Sequence, residues 1–544
     1  MLDATAHDMT RDESQSAGVA ALPSVDARSP AVSTASERAA RASRGGAVVA
    51  LASALARIGG ALLILRLGFR VVSDDDFARV VIAQKFAAQP HLDPTGSSWL
   101  PLPFWLVGGA MRVLGPTLDV ARGLALVAAA LGGAFVAWVA VRAGMRPRRA
   151  LAAAVLAAWM PWAMQLAVAT VPEAPAAAFA AAGVITLAAT SPGLRVVGSF
   201  GLLVSCWSRY DAWPMALAFA VCCALDAMRS HGRARRLQAL AAVLALFGPA
   251  SWSLWQAVVY HDAFRYLGLV RSYRQALGQG PSIVHRVLGY PLGVVEEMRE
   301  VLAAGLVGAL AAWRLRRARS DAPSTASGLR WSRPLAVAAF QLVLLVVGDV
   351  RDGAPTHHPE RALLAPATIV LFAAGDALGA WLSTRARAQA WLVAGVCATL
   401  LAGWIGVRLH RSLRWYEGAP RPREVAAGRA LAEAAGGVGG GRVLVDTRDL
   451  AGGAPDYGYY AVLAAFGRPL EADVDRDQDP RRPRAASSFG SVEALGARVA
   501  VARDRWLLAW GDEHRRIATE LGARVVAEEP ADAPAPRWVV LALP

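Results

Sequence analysis

The sequence predicts a mainly α-helical, polytopic membrane protein with about 11 transmembrane helices and a small C-terminal extracytoplasmic α/β domain. Of its 544 residues, 55% are hydrophobic and only 18% charged, against about 25% charged in soluble domains. The apolar residues fall in repeated blocks near the roughly 20 residues a helix needs to cross the bilayer core. The blocks run continuously and do not alternate at period two, which excludes barrel strands.

Residues 1–45 are rich in Ala, Ser, Asp and Arg without periodicity and predict a disordered cytoplasmic tail, not a secretory signal. The block Ala47 to Leu65 follows as an uncleaved anchor. Arg38, Arg41 and Arg44 before it place the N-terminus in the cytoplasm by the positive-inside rule. Ten further spans are expected over 118–141, 150–168, 174–190, 196–208, 213–228, 237–260, 292–313, 334–347, 362–382 and 390–407, which completes a membrane region at 46–410. Alternate loops are then basic: Arg142 to Arg149, Arg195, Arg229 to Arg236, Arg314 to Arg333, and Arg385 with Arg387. Trp99 to Leu114 is also apolar, but as a span it would reverse every later loop. It is therefore laid in the outer interface as an amphipathic or re-entrant helix within a first outer loop at 70–117.

After Val407 the stretch GAPRPREV breaks the helical pattern, and residues 411–544 read as the α/β domain. Strands are expected at Arg442 to Asp446, near Val499, near Val525 and at Trp538 to Leu543, with a helix near Tyr457 to Phe466. Eleven spans put this domain outside. The run GGVGGG at Gly436 to Gly441 precedes its strand, whereas a dinucleotide loop follows one, so it reads as a linker.

The net charge of +15 does not indicate nucleic acid. Lys85 is the only lysine, the arginines sit in topology-setting runs, and no basic and aromatic interleaving for stacking bases is present. Cys206, Cys222, Cys223 and Cys397 lie inside apolar blocks and form neither a disulfide framework nor a metal-binding pattern.

Five polar clusters fall on the outer side of this topology. They are Ser73-Asp74-Asp75-Asp76, Trp99-Leu100-Pro101-Leu102-Pro103, Thr170-Val171-Pro172-Glu173, Ser208-Arg209-Tyr210-Asp211-Ala212-Trp213 and His357-His358-Pro359-Glu360-Arg361. Ionisable groups such as Glu173 and Asp211 beside apolar spans are costly and tend to be functional or paired. Blander readings stand beside this one. Adjacent aspartates at a helix N-terminus are often simply solvated, and Arg209 and Arg361 also suit interfacial arginines that snorkel to headgroups. Trp99, Trp213 and Trp415 suit an aromatic belt.

In order and spacing over residues 47–410, these features resemble the GT-C membrane glycosyltransferases, most closely the protein mannosyltransferase and lipid A aminoarabinose transferase branch. Pro-Leu-Pro stands here where many relatives have Pro-Pro-Leu, and His-His-Pro-Glu-Arg replaces the commoner Arg-Tyr. The resemblance implies transfer of a sugar from a polyprenyl phosphate, usually with inversion, to a hydroxyl of an unknown extracytoplasmic acceptor, within membrane lipid and without a cofactor. It places the general base at Asp75 or Asp74, Asp75 by analogy with the family's first-loop acid. Substrate-binding roles fall to Asp76, Glu173, Arg209, Tyr210, Asp211, His357, His358 and Arg361, with the Arg209 and Arg361 guanidiniums facing the phosphate. No metal is assigned, because adjacent histidines point in different directions and a site needs further ligands. Successive helical residues turn by about 100°, so at most one or two of the three aspartates reach a common atom and the rest are expected to face solvent. A transporter or lipid flippase is the alternative, weakened by the lack of paired Gly/Pro-interrupted segments in two halves. A noncatalytic assembly or export factor is a third reading.

Overall fold

A computed structural model describes residues 30–69, 71–278, 282–319, 329–351, 359–415, 421–436, 440–449, 456–483 and 485–544. Of the expected tail, residues 1–29 lie outside these, and helix α1 (Pro30–Arg66) begins at Pro30. Gly45 to Pro544 forms one unit.

Among the described residues seven helical segments are long and apolar enough to cross a membrane, or eight if a bent pair is one span. The chain is a multi-pass membrane protein. The segments are Arg44–Arg66 of α1, α4 (Leu118–Ala143), Tyr210–Met228 around α9 (Trp213–Met228), α10 (Gly232–Tyr260), α14 (Ser332–Val350), α16 (Leu364–Leu382) and Arg387–Arg411 of α17 (Arg387–Trp415). The bent pair is α5 (Pro147–Trp159) and α6 (Pro161–Val168), turned by 70° within the span expected at 150–168. Pro161 explains the bend: it has no N–H to continue the ladder and pushes Met160 out of helical geometry, to ψ 136. The buried Arg57 of α1 ties the two halves of the bend together by donating to the carbonyls of Ala158, before the break, and Ala163, after it, at 3.5 and 3.2 Å.

Three other expected spans differ in detail. Those at 174–190 and 196–208 fall on shorter apolar helices, α7 (Glu173–Ile185, extended to Ala188 by a 3-10 turn) and α8 (Pro192–Cys206). These two pack with backbones almost touching: a Cβ added at Gly201 would stand 2.7 Å from the Phe179 carbonyl, the close approach that small residues permit between membrane helices. The span at 292–313 runs across a break at Met298 between α12 (Ile283–Glu297) and α13 (Arg299–Arg319), where Glu296, Glu297 and Arg299 cluster.

The basic loops meet at one end of the bundle. Arg149 pairs with Asp376 at 3.1 Å, Arg195 and Arg333 both pair with Asp226, and the Arg330 N–H reaches the Ala188 carbonyl. At the other end lie α2 (Asp74–Ala88), α3 (Leu102–Leu114), α11 (Arg265–Ala276) and the short α15 (Pro359–Ala362). The amphipathic helix expected near 99–114 is α3. Its Phe104, Gly108 and Met111 are buried, with Gly108 against the Ala83 carbonyl of α2, while Leu106, Val113 and Leu114 are exposed.

The C-terminal portion contains α18 (Pro422–Ala434), α19 (Tyr459–Phe466), α20 (Val492–Ala502) and α21 (Asp512–Glu520) around a five-stranded sheet of order β2-β1-β3-β5-β4. The strands are β1 (Arg442–Val445), β2 (Ala472–Val474), β3 (Asp504–Trp510), β4 (Arg524–Glu528) and β5 (Trp538–Ala542). The first three are parallel, β5 is antiparallel to β3, and β4 to β5. A strand is not found near Val499, which lies in α20. Ser491 caps that helix by accepting from the Ala494 N–H, and the chain enters β3 only after a left-handed turn at Arg503. Apolar burial joins this portion to α2: its Phe77, Val80 and Val81 share one core with Leu431, Val462, Phe466 and Val540. The buried Gln84 amide fastens the contact by donating to the carbonyls of Ala464 (2.8 Å) and Pro116 (2.9 Å).

Candidate active site

The three consecutive aspartates that open α2 take three different partners, as a turn of about 100° per residue requires. Asp74 makes a bidentate pair with Arg421, both N–O distances being 2.9 Å. Asp75 is half exposed and stands 3.6 Å from the Arg361 guanidinium. Asp76 is buried and accepts from the N–H groups of Val72 (3.1 Å), Ser73 (3.2 Å) and Thr170 (2.8 Å). Thr170 also donates its hydroxyl to the Asp76 carbonyl at 2.8 Å, tying α2 to the loop before α7. Burial raises the Asp76 carboxyl above the ordinary range, against the opposing pull of Thr170, the Arg361 charge, Val72 and Ser73. The expectation that the remaining aspartates face solvent is thus not met. Asp76 is consumed by backbone donors and Asp74 by a guanidinium.

Beneath Asp75 lies a compact ionic cluster. Glu173, 2% exposed, opens α7, where a carboxylate is favoured by the helix dipole. It pairs with Arg209 at 2.5 Å and lies 3.9 Å from Arg361. The Arg209 Nε donates to both oxygens of Asp211, at 3.1 and 3.0 Å. The Asp211 carbonyl accepts from Gln341 of α14 at 2.8 Å, so three helices and the α8–α9 connection meet at this cluster. Tyr210 turns away from these charges. It stacks on Tyr266 with centroids 4.1 Å apart and accepts a hydrogen bond from the Trp252 indole. His357 and His358 lie outside the described residues.

The two arginines named from sequence differ in how much of their donor capacity is spent. Arg209 grips two carboxylates. Arg361 is buried too, but its one contact of hydrogen-bond length among the described residues is to the Ser73 hydroxyl (3.1 Å), and its Nε has no partner. A carboxyl oxygen of Glu173 is likewise unpartnered. Buried polar atoms left without partners are uncommon and mark places where a ligand or water is accommodated. The space enclosed by Glu173, Ser205, Arg209, Asp211, Gln341 and Arg361 is about 10 Å³, enough for about one water molecule.

Arg79 belongs here and was not identified from sequence. One turn after Asp75 on α2, it lies 4.3 Å over the Trp99 ring, and its Nε is buried without a partner among the described residues. Burial lowers its pKa, while Glu173 and Asp75 oppose that effect. The signal was available in the i, i+4 spacing from Asp75. Gln341 was visible as a lone amide in an apolar span. Arg421 gave no local signal, being 347 positions from Asp74 in the chain.

No protein-family model matches the sequence, and no curated protein does. Among solved structures the chain is similar to ArnT from Cupriavidus metallidurans in the apo state, at 16% identity and a TM-score of 0.50 over 94% of this chain and 98% of that one. It is similar to the same protein bound to undecaprenyl phosphate, at 15% identity and a TM-score of 0.51, over 89% and 97% of the two chains. A further match is the Archaeoglobus fulgidus oligosaccharyltransferase, at 14% identity and a TM-score of 0.46, over 85% and 67%. The fold is therefore the one expected from the GT-C resemblance, that of ArnT, a lipid A aminoarabinose transferase.

Proposed function

We propose that this chain, on the fold it shares with ArnT, is an inverting hexosyl- or pentosyltransferase. It moves a sugar from a polyprenyl-phosphate-linked donor to a hydroxyl of an acceptor on the extracytoplasmic side. The observation that carries the proposal is the division of labour among the three aspartates: Asp75 alone keeps a half-exposed carboxylate, beside the buried and incompletely bonded Arg361. The ArnT structure with bound undecaprenyl phosphate supports a lipid-phosphate partner. The outward orientation is supported by the basic loops, which gather at the opposite end of the bundle.

In the reaction Asp75 accepts the proton of the acceptor hydroxyl as its oxygen bonds to the anomeric carbon. The bond from that carbon to the phosphate oxygen breaks, and its electron pair leaves with the polyprenyl phosphate. Arg361 and Arg79 stabilise the charge on the departing phosphate, and burial strengthens their effect. Asp76, Glu173, Arg209 and Asp211 hold these groups in place.

Purified protein in detergent, given labelled polyprenyl-phosphate sugars and a membrane-glycan acceptor fraction, should release polyprenyl phosphate in step with acceptor labelling. A flippase or assembly factor breaks no bond in a micelle. Binding of lipid phosphate with no cleavage of any donor of this class would refute the proposal.

A further inference from the structure

Resting on the transferase reading, we propose that Arg421 is a positioning residue: by gripping Asp74 it fixes the orientation of Asp75, so that the C-terminal domain sets the geometry of the catalytic carboxylate.

Asp75 is not held by its own contacts. It is half exposed, and its one ion pair among the described residues spans 3.6 Å, beyond hydrogen-bond length. Its direction must come from its neighbours in the chain, and both are fixed. Asp76 is anchored by backbone donors from the membrane portion, and Asp74 by the two parallel hydrogen bonds from Arg421, the geometry in which a guanidinium confers most directional control.

Arg421 is itself held in an unusual state. Its backbone is left-handed, with φ 46 and ψ 42, directly before Pro422. A non-glycine residue adopts this conformation at a cost and keeps it only where its surroundings over-determine it. Here they do. Besides Asp74, the guanidinium pairs with the buried Asp456 at 2.9 Å and with Glu424 at 3.5 Å. Arg448 braces both of those carboxylates while lying 3.9 Å over the Trp510 ring. Trp510 ends β3, so the chain of contacts runs from the central sheet to the first turn of α2. The other end of α2 is fastened to the same domain through Gln84 and Ala464. The helix is thus gripped at two points, and Asp75 points away from both, toward Arg361.

A misplacement of about 1 Å at a reacting group costs about a hundredfold in rate. Arg421→Gln and Asp74→Asn should therefore each lower kcat by about 10- to 100-fold and leave the KM for donor nearly unchanged, since Arg361 is untouched. The double variant should be no slower than either single one, because both remove the same contact. Arg421→Lys should recover only part of the rate, for lack of the fork. Hydrogen exchange over residues 73–80 should rise in Arg421→Gln relative to the parent while the melting temperature holds. Unchanged kcat, additive losses in the double variant, or unchanged exchange in the first turn of α2 would overturn the proposal. A parent protein that cleaves no donor, yet shows the exchange response, would refute the transferase reading and leave the Arg421 grip standing.

Discussion

Replacing Arg361 and Arg209 by Gln, one at a time, should give opposite kinds of defect, although both arginines open spans at the same end of the bundle. Among the described residues Arg361 makes one hydrogen bond, to Ser73, and reaches Asp75 and Glu173 at 3.6 and 3.9 Å. Without it Glu173 keeps Arg209 at 2.5 Å, so the fold loses about 1 kcal/mol. Its unspent donors are the ones a phosphate needs. Hydrogen bonds to charged groups contribute about 1.5–3 kcal/mol, so affinity for polyprenyl phosphate should fall by about 10- to 150-fold, with partial recovery in Arg361→Lys. Arg209→Gln instead strips the 2%-exposed Glu173 and Asp211 of their shared partner. Breaking a buried pair in this way costs about 3–5 kcal/mol, and the expected result is loss of folded protein. Lipid binding by tryptophan fluorescence, alongside melting in detergent, separates the two. Parent-like lipid binding by Arg361→Gln, or parent-like melting of Arg209→Gln with lost lipid affinity, would refute these assignments.

Asp76→Ala should cost about 3–5 kcal/mol, because it orphans the N–H groups of Val72, Ser73 and Thr170 at once; a melting temperature equal to the parent's would show the knot to be idle. Asp504, 4% exposed with both oxygens unpartnered among the described residues, has its carboxyl raised to about 6 by burial and by the neighbouring Asp473. Its folded-state pKa exceeds the unfolded one, so stability should fall as pH rises from about 4 to about 6. Asp504→Asn should therefore stabilise the protein at pH 7, by about 1 kcal/mol after solvent screening, and leave it unchanged at pH 4. Equal gains at both pH values would assign the effect to packing instead. Reporter fusions after Arg149 and Arg236 should report cytoplasm, and fusions after Arg274 and at the C-terminus the opposite side; a cytoplasmic C-terminus would separate the aspartates from an external acceptor.

Much of this organisation was legible in the sequence, for identifiable reasons. Charge-free apolar runs and the arginine loops mark spans without help from tertiary structure, so α4, α10 and α16 fall close to their expected bounds. The bent α5–α6 pair was missed as a bend, since a proline inside an apolar run kinks one helix and splits another depending on what satisfies the freed carbonyls. Here Arg57, 101 residues before Ala158, donates to the carbonyl of that residue at the break. The acidic opening of α2 was visible, but only the family resemblance, not the residues themselves, put Asp75 before Asp74: the aspartates' partners, Arg421, Arg361 and Thr170, come from three distant segments. The shared core of α2 with Val462 and Phe466 was equally hidden, because a short amphipathic helix between spans does not reveal which surface covers it.

The most direct test of the central claim is the single-turnover rate of sugar transfer from a labelled polyprenyl-phosphate donor by purified parent and Asp75→Asn proteins. The substitution keeps the shape of the side chain and removes its ability to accept a proton. Losing a general base typically lowers the rate by about a hundred- to ten-thousand-fold. The expected result is a loss of that size in Asp75→Asn, with polyprenyl-phosphate binding retained through Arg361 and Arg79. Transfer by Asp75→Asn at the parent rate would contradict the assignment of the base and, with it, the chemistry proposed for this site.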